Sequence, residues 1–150
     1  MKILIATDGS DFSKAAVAEG CKFLKPQTDE VMIVSAYEDA APIAAEPFAI
    51  SAEYYQKLED AVREQADEFV EQAASEVRRE FPGAKLKLTS RVLCGAPDQQ
   101  IIELAREWGA DLIVVGSHGR GFWGRLLGSV STGVVHHAPC SVLVVRKPAG

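Results

Sequence analysis

The chain has 150 residues, 21 acidic against 16 basic side chains, and a formal net charge of −5. That length fits one domain spanning residues 1–150, with a single core and no need of a covalent staple. The negative balance argues against a general nucleic-acid binder, whose partner asks for a basic face. The charge is also unevenly placed: up to Asp111 the chain holds 12 basic against 21 acidic side chains (−9), whereas residues 112–150 carry Arg120, Arg125, Arg146 and Lys147 with no carboxylate (+4). A small anion is thereby directed to the C-terminal part.

Ile3 to Ala6 reads as a short buried strand, stopped by the turn and cap residues Thr7-Asp8-Gly9-Ser10. A helix follows with Ser13 as the candidate cap, its apolar face running through Ala16, Val17, Gly20, Phe23 and Leu24 until Pro26 ends the pattern. Val31 to Val34 is a second strand, closing a first β-α-β unit. Residues 38–50, rich in alanine and proline, show no period and read as a mobile surface loop. From about Ser51 to Phe81 the helical spacing of Tyr54, Leu58, Val62, Phe69, Val70, Ala73 and Val77 predicts a long amphipathic helix, stopped by Pro82-Gly83.

Leu86 to Leu93 alternates like a half-buried strand, and Pro97 stands where a helix over about 98–107 tolerates it in its first turn. Leu112 to Val115 and Ser141 to Val145 complete five strands. Strands apolar on both faces, alternating with helices, specify a parallel sheet covered on two sides, an α/β doubly wound domain with right-handed crossovers. No apolar run approaches the ~20 residues of a membrane span, and Met1 to Ala6 reaches Asp8 too early for a signal-peptide core. Cys21, Cys94 and Cys140 have no paired spacing, so a soluble cytoplasmic protein without disulfides is expected. Cys21 and Cys94 read as small buried apolar residues.

The most informative stretch runs from Asp111 to Ser131, where a β-branched strand enters a loop with glycines at 116, 119, 121, 124 and 128 and then opens a helix. Glycine lets backbone N–H groups approach an anion, and a helix start offers unpaired amides and a positive dipole end. Gly119-Arg-Gly121-Phe-Trp-Gly124 has the G-x-G-x-x-G spacing of dinucleotide enzymes, but it follows the fourth strand rather than the first and no acid lies beyond it. A P-loop is disfavoured too, since Arg125-Leu126 stands where Lys and a hydroxyl residue are required. His136, His137 and Cys140 invite a zinc reading, yet adjacent histidines diverge on a helix and no fourth ligand is near. No Gly-x-Ser-x-Gly elbow or His-x-Gly-His signature is present. Phe122 and Trp123 are expected to pack beneath the loop with Leu126 and Leu127.

What remains is Gly116-Ser-His-Gly119, eight residues, then Gly128-Ser129-Val130-Ser131, with Asp8 at the end of the first strand. This resembles the universal stress protein family, whose pattern is glycine, two residues, glycine, usually nine residues, then glycine and Ser or Thr. The opening Thr7-Asp8-Gly9-Ser10 and the closing His137 to Arg146 are similar as well, so the resemblance covers essentially the whole chain. It implies a five-stranded parallel sheet of order 3-2-1-4-5 with helices on both faces. It further implies ATP, with Mg2+ on its phosphates, in the crevice at the carboxyl ends of strands one and four.

Carried over by position, Ala6, Thr7, Asp8 and Ala36 would face adenine and ribose. Val115, Gly116, His118 and Gly119 would line the ribose and first phosphates, and Gly128, Ser129, Val130 and Ser131 would hold the outer phosphates. Asp8 read alone is equally a helix cap, and His118 equally a surface residue over the loop. The resemblance also implies a homodimer through the closing strand 141–146, and an exposed Val-Leu-Val-Val edge demands such pairing. The expected role is an ATP-binding regulatory or chaperoning module of the stress response, with little or no turnover because no catalytic base stands in the loop. The alternatives are a weak ATPase or nucleotidyl transferase, and an interaction protein holding AMP, cyclic AMP or no nucleotide.

Overall fold

The computed structural model describes residues 1–39, 51–120 and 126–147. Most of the 38–50 segment, and Phe122 and Trp123 of the glycine loop, lie outside the described residues. Five strands, β1 (Lys2–Ala6), β2 (Glu30–Tyr37), β3 (Lys87–Cys94), β4 (Leu112–Gly116) and β5 (Ser141–Val145), form one parallel sheet of order β3-β2-β1-β4-β5. Among the described residues four helices cover it: α1 (Asp11–Cys21), α2 (Ala52–Glu80), α3 (Pro97–Trp108) and α4 (Ser129–His137). This is the expected doubly wound α/β architecture.

The two faces follow from the period of a strand, which sends alternate side chains to opposite sides. Ile3, Ile5, Val31, Ile33 and Val114 pack under α1 and α2 against Ala16, Val17, Val70, Ala74 and Val77. Leu4, Met32, Val34, Ile113 and Val115 pack under α3 and α4 against Ile101, Ile102, Leu104, Ala105 and Val134. Each fully buried Val, Leu or Ile stabilises the fold by roughly 1.5–3 kcal/mol relative to exposure, so the central strand β1, buried on both sides, anchors both layers. A one-residue slip of β1 would exchange its two faces, and the register Ile5 with Ile33 and with Val114 fixes where β1 ends.

Helix boundaries depart from the sequence expectation in one instructive place. Ser10, not Ser13, caps α1: its hydroxyl accepts from Ser13 N (3.2 Å), while Ser13 Oγ donates back to the Ser10 carbonyl (2.9 Å). Ser13 thus lies inside the first turn, and α1 closes at Cys21, leaving Phe23 half exposed. α2 is capped by Ser51, and its buried residues begin only at Ala66. α3 starts with Pro97 and stops at Gly109, whose φ of 71° is the left-handed conformation that ends a helix.

Gly116 ends β4 where α1 begins. A Cβ placed there would meet the backbone C and O of Phe12 at 2.8 Å, so close passage of strand and helix, rather than ligand approach, demands glycine at this position. The cysteines also separate. Burial, with Glu80 and Glu76 nearby, pushes the Cys21 thiol up to about 11; Cys94 is exposed, contrary to the buried role read for it.

Gly116→Ala should therefore lower stability by about 1–3 kcal/mol through overpacking, visible as a reduced urea midpoint without any ligand, and an unchanged midpoint would contradict the contact with Phe12. In folded protein at mildly alkaline pH, iodoacetamide should alkylate Cys94 and spare Cys21 until urea unfolds the chain; equal labelling of the two in the folded state would refute the assigned environments.

Candidate functional site

At the carboxyl ends of β1 and β4, where the strand order turns outward in both directions, the elements splay apart and leave a crevice. The cavity there has a volume of about 390 Å³, within the range of small-molecule sites. All twelve residues singled out from the sequence line it. Ala6, Thr7 and Asp8 come from the end of β1, Ala36 from β2, Val115 and Gly116 from β4, His118 and Gly119 from the loop, and Gly128, Ser129, Val130 and Ser131 from the start of α4. Five further lining residues were not singled out: Ser13, Val34, Pro97, Ile101 and Arg120.

The first wall is built around Thr7 and Asp8. Thr7 N donates to the Val34 carbonyl (2.9 Å), continuing the sheet ladder one residue past β1. Its hydroxyl donates to Ser13 Oγ (3.2 Å) and accepts from Gly9 N (3.2 Å), so the turn is tied to the first turn of α1. Asp8 Oδ1 accepts from Ser10 N (3.0 Å), and Oδ2 accepts from Arg120 N (3.2 Å). Asp8 is therefore neither a plain cap nor remote from the glycine loop: a Cβ on Gly119 would lie 2.8 Å from its Oδ2.

The opposite wall is the start of α4. Gly128 occupies the cap position without a side-chain bond, and the first intrahelical bond runs from Thr132 N to the Gly128 carbonyl (2.9 Å). The N–H groups of Ser129, Val130 and Ser131 consequently have no acceptor within the helix. Ser117 holds this helix start in place. Its carbonyl accepts from Gly128 N (2.8 Å) and from Ser131 Oγ (2.9 Å), and its own N–H donates to the Val145 carbonyl (2.8 Å). Ser131 Oγ, which also reaches the Gly128 carbonyl (3.1 Å), is thus occupied in clamping the loop.

His118 works in the same clamp. Its ring is almost fully buried and lies 5.0 Å from the Phe12 ring. Nε2 donates to the Leu126 carbonyl, which fixes the proton on that nitrogen, and Nδ1 is 2.9 Å from Ser117 Oγ. The imidazole is a strut across the base of the loop, not a surface residue above it. With Ser117 it closes the eight-residue spacer: a Cβ on Gly128 would sit 3.8 Å from Gly119 N, so both glycine pairs adjoin despite the missing residue. Leu126, expected to pack beneath the loop, is instead 78% exposed.

Among the described residues no three His, Cys, Asp or Glu side chains converge on a metal position. His137 Nδ1 lies 3.1 Å from the Gly133 carbonyl, and burial, with Asp111, raises the Cys140 thiol and so disfavours the thiolate a metal needs. No described helix is long and apolar enough to cross a membrane.

Comparison with known proteins agrees with this geometry. The sequence model of the Universal stress protein family matches residues 1–146. A universal stress protein of Thermus aquaticus is 37% identical over 145 residues, covering 96% of this chain and 97% of that protein. A solved structure of a Methanocaldococcus jannaschii universal stress protein superposes with a TM-score of 0.81 at 26% identity, covering 99% and 97% of the two chains. A universal stress protein crystallised in complex with cyclic AMP superposes at 0.60 with 27% identity, covering 99% and 98%. The chain belongs to the universal stress protein family.

Proposed function

We propose that the crevice binds ATP, with Mg2+ on the phosphates, and that the protein acts as a nucleotide-dependent regulatory or chaperoning module of the stress response with little or no turnover. The observation that carries this reading is the start of α4, where three consecutive N–H groups without helical acceptors line a preformed cavity. Such donors at the positive end of a helix dipole match a phosphate. Val34, Ala36, Pro97 and Ile101 supply an apolar wall for a base, and the Asp8 carboxylate supplies an acceptor for hydroxyl or amino groups. The donor set therefore suits a nucleotide as a whole. Mg2+ would be held mainly by phosphate oxygens and water, as it commonly is, since Asp8 is the one carboxylate among the described lining residues.

Little turnover is consistent with how Asp8 is used. Phosphoryl transfer needs a placed base or water-orienting group, and this carboxylate already accepts from two backbone amides. The related structure holding cyclic AMP supports an adenine nucleotide and also gives substance to a second reading, in which AMP or cyclic AMP is the physiological ligand. β5 supports the homodimer. It is a sheet edge with no charged residue, and Val142, Leu143 and Val144 are only partly covered; we infer that two copies meet through residues 141–146.

Calorimetry with ATP, ADP, AMP and cyclic AMP, with and without Mg2+, should show ATP tightest and strengthened by Mg2+. Tighter AMP or cyclic AMP would favour the second reading, and no ATP binding would refute the first. Ser129→Ala should weaken ATP by about 1 kcal/mol through a lost phosphate donor. Phosphate release well above ~0.01 per second that vanishes in Asp8→Ala would make the protein an enzyme instead. Light scattering at micromolar concentration should give twice the chain mass of 16.2 kDa; a monomer would overturn the edge-pairing proposal.

A further inference from the structure

Arg120, the first residue of the spacer, is the one guanidinium or ammonium group among the described residues lining the cavity. Its main chain is fixed at the rim by the bond from its N–H to Asp8 Oδ2 (3.2 Å). Its side chain, however, is spent on α2. The guanidinium carbon lies 4.8 Å from the centre of the Phe69 ring, and Nη1 donates to Gln65 Oε1 at 3.3 Å. Phe69 in turn closes over the turn that carries Asp8, since a Cβ on Gly9 would fall 2.2 Å from its ring.

These side-chain contacts are exposed, one is long, and the hydrogen-bond acceptor is a neutral amide. Bonds from a guanidinium to a phosphate are charge-assisted, shorter and stronger. Arg120 also follows Gly119 directly, on the same rim as the amides of α4. A polyphosphate in the cavity therefore offers this cation a better partner than α2 does, whereas a nucleoside monophosphate brings less charge and no outer phosphates.

We propose that Arg120 is a specificity-determining residue with two positions: it rests on Phe69 and Gln65 when AMP or no nucleotide is bound, and turns onto the outer phosphates when ATP is bound. This rests on the reading that the crevice holds an adenine nucleotide. The two positions exclude each other, so whatever stabilises the resting one weakens ATP and leaves AMP unaffected. Departure of the guanidinium also uncovers the outer face of the Phe69 ring, which makes the surface of α2 differ between the two nucleotides.

The test is calorimetric titration with ATP and with AMP, at fixed Mg2+, of the wild type, Arg120→Ala, Arg120→Lys and Phe69→Leu, each checked for an unchanged melting transition. Arg120→Ala should weaken ATP by about tenfold and AMP by less than about twofold, with Arg120→Lys recovering part of the loss. Phe69→Leu removes the ring on which the guanidinium rests, and should tighten ATP by roughly two- to fivefold without changing AMP. Equal losses of ATP and AMP in Arg120→Ala, or a Phe69→Leu variant with unchanged or weaker ATP binding, would overturn the two-position proposal while leaving the nucleotide site standing. A wild type that binds neither nucleotide would instead remove the reading on which it rests.

Discussion

The carbonyl oxygen of Ser117 accepts hydrogen bonds from Gly128 N and the Ser131 hydroxyl at once, and the geometry of the crevice depends on that pair. Without it the first turn of α4 would lose its direct hydrogen bonds to the end of β4. The three amides that open onto the cavity would then have no fixed direction, and fixed direction is what lets a helix start stabilise an anion without reorganising. Ser117 can serve this way because its own N–H is bound to Val145 on β5. The sheet thus reaches through one peptide into the loop, and the buried His118 ring braces the same junction from the other side.

The charge distribution acts on a different scale. The C-terminal part carries four cations and no carboxylate side chain, yet the crevice is not uniformly positive, because Asp8 from the acidic part faces the loop directly. The parallel pairing of β1 with β4 makes this meeting unavoidable. The cavity therefore presents a carboxylate as well as a row of amide donors, a polarity that orients an asymmetric ligand rather than merely attracting it.

Much of this is legible in the amino-acid sequence, for reasons that differ by region. The apolar runs of β1, β2 and β4 are short, β-branched and bounded by turn residues, so their burial on both faces and the layered fold follow from pattern alone. The site's glycines and hydroxyls lie within a few residues of one another, so the family pattern could gather them. Other features are invisible to local reading. Ser13 looks like a cap because Ser and three following residues suit one, but the bond from Ser10 N to Asp8 moves the helix start back by a turn. Ser117 occupies a variable position in the pattern, and its importance resides in its backbone, which carries no sequence signal. Pro97, Ile101 and Arg120 reach the cavity only through tertiary packing, and Cys94 is exposed because β3 is an edge strand.

The contact between α3 and α4 bears on how the two ends of the crevice behave together. Asp98, one residue into α3, lies so close to Gly133 that a Cβ on that glycine would come within 2.3 Å of its carboxylate. Pro97 and Ile101 on one helix and Ser129 to Ser131 on the other thus line the cavity from two helices in direct contact. A ligand pressing against α3 would load the start of α4 as well. The helix pair and the end of the sheet that carries Asp8 together set the width of the gap.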